Sequence, residues 1–459
     1  MSTKSQFGSK IGLIAATVGS AIGLGNVWRF PAETQANGGA AFLLLYIACV
    51  FILGIPVMLA EFSLGRAGRS DAVGVFHFLS PGKKWWIIGA VAILASYLIL
   101  SYYMVVAGWT AEYLWQSLTG NLYDVGTALQ QSGDYAAADA AFSARMNQYI
   151  CDDFSPLIFT FAVIVINNFV LLGGVQKGIE RLSNIMMPLL FVLLLALCAV
   201  TLSLPGAGAG LKFFLSPDFS KINAATVINA LGQTFFSLSL GMGILITYSS
   251  YYPADTKLTR TSVIVSLMSL LVAVMMGCII FPAVTTFRLD KHPLEGATLV
   301  FVTLPEVFSQ LPATQLWSII FFLLLFVAAL TSTVSIAEVS IAFMHDRFGM
   351  SRFKSCMIVM LPLFVLSTLC SLSFGSLSSF KIFGMTIFDS LDAFTTNVLL
   401  PLVSMGVCVY VGWFAPKGLL KSQITNNGTI KSRVSNIVLV IIRYFAPVLI
   451  AAIMVSKLI

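Results

Sequence analysis

From residue 11 to residue 37 the chain reads IGLIAATVGSAIGLGNVWRFPAETQAN, with Gly19, Gly23 and Gly25 in one short interval, followed by Asn26, Arg29 and Pro31. The stretch is long and apolar enough to cross a membrane, which takes about 20 such residues. Three glycines and a proline nevertheless work against a continuous lipid-facing helix. Non-helical backbone at that depth survives only where it lines a cavity or is buried in protein. The helix ends at such a break present N–H groups on one side and carbonyl oxygens on the other, which suit an anion and a cation. The predicted chemistry is binding or passage of charged solute. A kinked structural helix with an interfacial arginine is the competing reading, because glycine is common in membrane helices.

The surroundings are those of an integral membrane protein. Of 459 residues, 58% are hydrophobic and 10% charged, and the mean hydropathy is +0.93. The net charge of +7 comes from short loops between apolar runs, with no continuous basic domain or recognition motif, so a nucleic-acid partner is not indicated. Cys49, Cys151, Cys198, Cys278, Cys356, Cys370 and Cys408 lie mostly inside apolar runs without a CxxC. They read as packing residues, with neither a disulfide framework nor a metal site. The polar start MSTKSQFGSK leads straight into the broken span, and no cleaved signal peptide is expected.

Eleven spans are predicted, at 11–37, 40–64, 85–118, 156–172, 179–204, 224–252, 263–285, 317–344, 356–372, 387–414 and 437–455. The segment 119–153 reads as a polar loop with short helical pieces, and GATLVFVTLPEVFSQ at 296–310 as a re-entrant or surface helix too short to cross. A cytoplasmic N-terminus puts seventeen of the 26 Lys and Arg residues on the inside, Lys10, Lys257 and Arg352 among them. Positive-inside bias selects that orientation, which leaves the C-terminus extracellular or periplasmic. The sixth span is also interrupted, by SLSLGMG at 237–243. Paired broken spans in corresponding positions point to an inverted-repeat transporter with its sites at mid-membrane. An ion channel and a non-transporting receptor remain the other function classes; nothing suggests an enzyme.

GSAIGLGNVWRFP at 19–31, NGGAAFLLLY, GIPVMLAEFSLGR, GQTFFSLSLGMGILITYSSY at 232–251, TLPEVFSQ and AALTST at 328–333 occur in this order. Together they resemble the neurotransmitter:sodium symporter family, in particular its bacterial amino-acid transporters, over almost the whole chain. The resemblance implies an all-α fold of two inverted five-helix repeats with broken helices one and six, plus an eleventh helix. It implies one transporter domain over 1–459, with repeats at 11–204 and 224–414 and the additional helix at 437–455. The implied activity is sodium-coupled symport of an amino acid by alternating access in a plasma membrane, here a bacterial inner membrane. An amino-acid-gated sodium channel or an amino-acid-binding receptor stands as the alternative, and no obligate protein partner is implied.

Carried over position by position, one sodium site would use carbonyls of Gly19, Ile22 and Ala328 with hydroxyls of Thr331 and Ser332. By themselves, Thr331 and Ser332 would read as hydroxyls bonded back to their own helix. The other sodium site would use the Ala21 carbonyl, Asn26, Ser237 and Ser269, where the family usually has asparagine in place of Ser269. Altered geometry, a water or a shifted alignment would each account for that departure.

Substrate carboxylate would meet N–H groups near Leu24 and Gly25 and the Tyr103 hydroxyl; substrate ammonium would meet carbonyls of Ala21, Phe236 and Ser237, with Ser239. The side-chain pocket maps to Ser20, Ile99, Tyr103, Phe236, Ser239, Met242, Ser332 and Ile336. Gly23 stands where monoamine-transporting relatives carry aspartate, and Met242 where some carry a larger aromatic. A hydrophobic or aromatic L-amino acid is therefore expected.

A chloride site would map to Tyr46, Gln233, Ser237 and Ser269, with Ala273 where chloride-independent bacterial relatives often place an acid. Chloride dependence, or an acid from another span such as Glu61, would make good the missing charge. The outer gate maps to Arg29 and Asp392, with Asp389 as a competitor, and the inner lid to Tyr103 and Phe236. The cytoplasmic latch maps to Asp346 with Lys4, or Lys10, in place of the usual arginine, Phe7 in place of tryptophan, and Tyr251 nearby. Gly178 and Pro188 bracket nine residues of span five, a family spacing for local unwinding and a solvent path; a glycine start followed by a proline kink is the ordinary reading.

Overall fold

The computed structural model describes residues 5–123, 135–287, 296–432 and 434–458. Lipid supplies no hydrogen bonds, so chain that spans it must pair its own backbone groups. Helices do this here, and a bridge between Ile382 and Met385 is the sole β pairing among the described residues.

The elements are α1 (Lys10–Ala21), α2 (Gly25–Ala36), α3 (Ala40–Gly68), α4 (Ala72–Leu79), α5 (Trp86–Thr119) and α6 (Tyr135–Cys151). Next come α7 (Ser155–Leu172), α8 (Val175–Leu202), α9 (Ala207–Leu215), α10 (Ala224–Ser237), α11 (Ile244–Ser250) and α12 (Leu258–Thr286). The chain ends with α13 (Gly296–Ser309), α14 (Thr314–Phe348), α15 (Arg352–Leu372), α16 (Ile387–Phe414), α17 (Leu419–Ile424) and α18 (Val434–Lys457). Among the described residues, α3, α5, α7, α8, α12, α14, α15, α16 and α18 are long and apolar enough to cross a membrane. The bent pair α1 and α2, with 56° between its halves, makes a tenth. The pair α10 and α11, parted by residues 238–243, is the interrupted element expected at 224–252.

The connections differ from expectation. Residues 119–153 carry the 17-residue α6 in place of short pieces, and α4, α9 and α17 are short helices lying between the predicted spans. The stretch 296–310 does form a helix, yet Leu299, Val300, Phe301, Val302, Leu304 and Val307 are buried, so it packs into the protein and does not lie on its surface. Its apolar face is too short to register as a span but long enough to cover a core.

Local sequence explains both breaks. Ser9 caps α1 by accepting from the Gly12 N–H at 2.9 Å, and the helix ends where Ile22 turns extended (φ −89°, ψ 92°). Asn223 opens α10 in a reciprocal capping box with Thr226. That helix stops because Ser239, Gly241 and Gly243 adopt φ of 53°, 78° and 72°. At Gly241 glycine is required twice over, since a Cβ would also sit 2.5 Å from the Leu400 carbonyl oxygen. Around the breaks, α5 packs along α14 and α3 along α11. In α14 78% of the most apolar window is buried in protein and in α18 only 28%, so α14 is central and α18 faces mostly outward.

The α3–α11 contact depends on Gly65, whose added Cβ would stand 1.9 Å from the Ile246 carbonyl oxygen. Gly65→Ala should cost about 1–3 kcal/mol by overpacking. Gly232→Ala, whose Cβ meets nothing within 4 Å, should be neutral or stabilising by up to ~1 kcal/mol. Thermal unfolding of the two variants in detergent measures the contrast.

Candidate functional site

The loose ends of the two breaks meet each other. The Leu24 N–H donates to the Tyr103 hydroxyl of α5 at 3.0 Å. The Ser239 hydroxyl donates to the Ser20 carbonyl at 2.7 Å, and the Ser332 hydroxyl of α14 to the Ile22 carbonyl at 3.3 Å. Between them lies a small cavity of about 20 Å³, lined by Ser20, Ala21, Gly23, Gly25, Asn26, Ile99, Tyr103, Phe236, Ser237, Ser239, Met242, Ser332 and Ile336. These are the expected substrate residues apart from Leu24, which reaches the site through its N–H, together with Gly23 and Asn26. A Cβ at Gly23 would sit 2.9 Å from both the Tyr103 and Ser332 hydroxyl oxygens, and one at Gly25 would sit 2.2 Å from the Phe236 ring. The space is about that of one water molecule, so Phe236 and Met242 must give way before a larger molecule fits.

Two groups of uncharged oxygens flank the cavity. On one side the Thr331 hydroxyl donates to the Val327 and Ala328 carbonyls at 3.2 and 3.1 Å. Gly19 lies against Thr331, its added Cβ 3.4 Å from the threonine Cβ. On the other side Asn26 Nδ2 donates to the Ala21 carbonyl at 3.1 Å and to the Ser269 hydroxyl at 3.2 Å. Ser269, for all its shorter side chain, is within hydrogen-bond reach of Asn26 and Ser237. The Asn26 amide oxygen is buried without a hydrogen-bond partner. A buried orphaned acceptor is costly, and it is the kind of atom a hard cation takes as ligand. Tyr46 and Ser237 share a hydrogen bond of 2.5 Å, and Ser237 and Ser269 one of 2.9 Å. Gln233 reaches the Gly25 carbonyl at 3.4 Å. No carboxylate bonds to these three hydroxyls among the described residues. Glu61 is engaged elsewhere, accepting from the Gly241 N–H at 2.8 Å.

Above the cavity, across Tyr103 and Phe236, opens a second space of about 690 Å³ whose walls include Trp28, Arg29, Glu33, Trp109, Asp389 and Asp392. Arg29 sits over the Phe236 ring at 5.0 Å. Its ion pair runs to Glu33, four residues on, at 3.9 Å; Arg29 and Asp392 share the space without an ion pair within 4.0 Å. Asp389 is tied to Thr386 at the start of α16, hydroxyl to carboxylate 2.7 Å, which leaves Asp392 as the acid facing Arg29. Spacing i to i+4 could have revealed Glu33.

At the other end the centre of charge was not foreseen. Glu338, fully buried, accepts from Arg352 through both carboxylate oxygens at 2.8 and 2.5 Å and from the Tyr251 hydroxyl at 2.8 Å. Asp346 stands near enough to Tyr251 to act on it electrostatically. Lys4 lies outside the described residues, and Lys10 pairs with Asp255 at 2.8 Å instead of with Asp346. Phe7 is buried among Tyr248, Tyr251 and Tyr252, with ring centroids 5.9 to 6.3 Å away. Span five is wound: Gly178 lies in a π-helical first turn and Pro188 inside the regular helix.

Comparison with known proteins places the whole chain in a family. The sodium:neurotransmitter symporter family matches residues 4–134 and 151–459. The chain belongs to that family. An uncharacterized sodium-dependent transporter of Bacillus subtilis (strain 168) is 36% identical over 92% of this chain and 90% of its own. The sodium-dependent serotonin transporter of Drosophila melanogaster is 28% identical over 90% of this chain and 70% of its own. The crystal structure of MhsT in complex with L-phenylalanine superposes with a TM-score of 0.88 at 38% identity, covering 99% of this chain and all of that one. The chain is therefore a multispanning sodium-dependent transporter with the inverted five-plus-five helix fold and an eleventh helix.

The Glu338–Arg352 pair makes a testable demand. Arg352→Ala would strand a buried carboxylate, a change that costs about 3–5 kcal/mol. A fall in melting temperature should follow in detergent, and Glu338→Gln in the same background should recover part of it.

Proposed function

We propose that the protein is a sodium-driven symporter of hydrophobic or aromatic L-amino acids working by alternating access. The observation that carries this reading is the convergence of two broken helices on a small cavity flanked by uncharged oxygens. A zwitterion buried in protein needs fixed dipoles at both of its ends. Leu24, Gly25 and Tyr103 would receive its carboxylate; Ala21, Phe236, Ser237 and Ser239 its ammonium. With glycine at position 23 the site has no carboxylate of its own for an amine, which favours a substrate that brings one. Ile99, Phe236, Met242 and Ile336 offer an apolar wall that can deform, and similarity to MhsT, solved with L-phenylalanine, supports the same choice.

In this reading one sodium ion is held by Gly19, Ile22, Ala328, Thr331 and Ser332, and a second by Ala21, Asn26, Ser237 and Ser269. The helices of 11–204 and 224–414 form the two repeats, and 437–455 adds the last helix. Arg29 and Asp392 close over Tyr103 and Phe236 from outside, while Phe7, Tyr251 and Asp346, with Lys4, close the cytoplasmic side. Gly178 and Pro188 let span five open when sodium leaves through it. The membrane is a bacterial inner membrane with the N-terminus in the cytoplasm. The three linked hydroxyls of Tyr46, Ser237 and Ser269, without a carboxylate and with Gln233 alongside, favour chloride as a co-ion.

In reconstituted vesicles, an imposed sodium gradient should drive phenylalanine uptake that tryptophan and leucine inhibit more strongly than alanine or glycine. Thr331→Ala should raise the half-saturating sodium concentration about tenfold, equivalent to ~1.4 kcal/mol for one lost oxygen contact. Sodium flux without coupled amino acid, or binding without uptake, would turn the assignment to a channel or a receptor. Replacing chloride with gluconate should lower uptake; an unchanged rate and affinity would remove chloride from the mechanism.

A further inference from the structure

We propose that the start of α1 and the start of α12 form a binding site for the headgroup of an anionic phospholipid at the cytoplasmic membrane boundary. The inference rests on the membrane orientation given above, and it concerns a surface remote from the substrate cavity. A cavity of about 380 Å³ lies between the two helices, with Lys10, Ile11 and Ile14 on one wall and Thr256, Lys257 and Arg260 on the other.

Charge selects an anion. Asp255, also in the lining, is engaged by Lys10 at 2.8 Å. Lys257 and Arg260 are exposed and make no ion pair within 4.0 Å among the described residues. Three cations thus face one carboxylate. The first N–H groups of α12 add to the same sign, because Lys257 at its N-cap position provides no side-chain cap. Thr256, only 7% exposed, belongs to the same wall.

The apolar wall selects a lipid over a soluble anion. Ile11 is 78% exposed at the mouth of the cavity, and Ile14 continues its face along α1 one turn deeper. Inorganic phosphate would leave Ile11 in water, whereas a phospholipid covers it with acyl chain while its phosphate meets Lys257 and Arg260. Basic pockets between helices on the cytoplasmic side bind lipid headgroups for this reason.

The test is native mass spectrometry of the intact protein in detergent, offered phosphatidylglycerol and phosphatidylcholine with matched acyl chains. Phosphatidylglycerol should be retained several-fold more, and Lys257→Gln with Arg260→Gln should abolish the preference. Lys212→Gln with Lys381→Gln, two lysines outside the cavity that the same positive-inside orientation leaves on the outer side, should leave it intact. Asp255→Asn removes the site's carboxylate and should increase retention, a gain that misfolding cannot produce. Equal retention of the two lipids by the unsubstituted protein, a preference that survives the Lys257/Arg260 substitutions, or no gain in Asp255→Asn would overturn the proposal. So would displacement of the lipid by soluble glycerol phosphate at equal concentration, which would make this a site for a free anion. Sodium-driven phenylalanine uptake in pure phosphatidylcholine vesicles should be the same with and without the Lys257/Arg260 substitutions. Absence of uptake in both, with the lipid preference intact, would fault the transport assignment and leave the lipid site standing.

Discussion

A peptide group stripped of its hydrogen bond inside a membrane is costly, and this fold is built around two places where the helix ladder stops. Each loose end is answered by a particular side chain: Tyr103 takes the Leu24 N–H, Glu61 the Gly241 N–H, Ser332 donates to the Ile22 carbonyl and Ser239 to the Ser20 carbonyl. The breaks therefore cannot be considered one at a time. Ser20 and Ser239 tie the first to the second, while Tyr103 and Ser332 tie the first to the long helices α5 and α14. A solute that binds between them competes with, or completes, bonds the backbone already needs.

Charge is distributed to suit that centre. The cavity wall carries hydroxyls, carbonyls and one carboxamide, and the ionised groups stand at its two ends. On the wide side Arg29 rests over Phe236 and leans on Glu33, with Asp392 across the opening. On the other, Glu338 and Arg352 form a bidentate pair that also holds Tyr251, directly beneath the aromatic cage around Phe7. The two closures differ in kind. On the wide side the charges border an open space above the rings, whereas on the narrow side Glu338 is held in an ion pair with Arg352, and such pairs are hard to break once water is excluded.

The N-terminal segment is fastened on this narrow side. Glu180, in the π-helical first turn of α8, accepts from the Gly8 N–H and the Ser9 hydroxyl, both at 2.7 Å, and Gln176 donates to the Gln6 carbonyl at 2.7 Å. The segment that carries Phe7 is thereby fastened to the start of span five. Movement of either must disturb the other, which gives the Gly178 and Pro188 spacing a physical partner.

Much of the site was legible before the fold. Gly19, Gly23 and Gly25 marked the first break and SLSLGMG the second, because glycine and serine at membrane depth signal lost helix whatever surrounds them. The ordered motifs then supplied Tyr103, Phe236, Met242 and Ile336 as wall residues, and all four line the cavity. Other features lay beyond local pattern. Glu338 and Arg352 are fourteen residues apart on different helices, and only the turn after α14 brings them together. Glu180 meets Gly8 across 172 positions. Tyr46 and Gln233 were named beside Ser237 and Ser269 by the family resemblance alone, since no spacing links them, and the hydrogen bonds they make came from the fold. Composition and glycine placement determined by themselves that this chain spans a membrane with two interrupted helices, because hydrocarbon imposes the same demand on every residue. Which oxygens converge and which charges pair were decided by the tertiary structure, because those depend on distances between helices that sequence order does not encode.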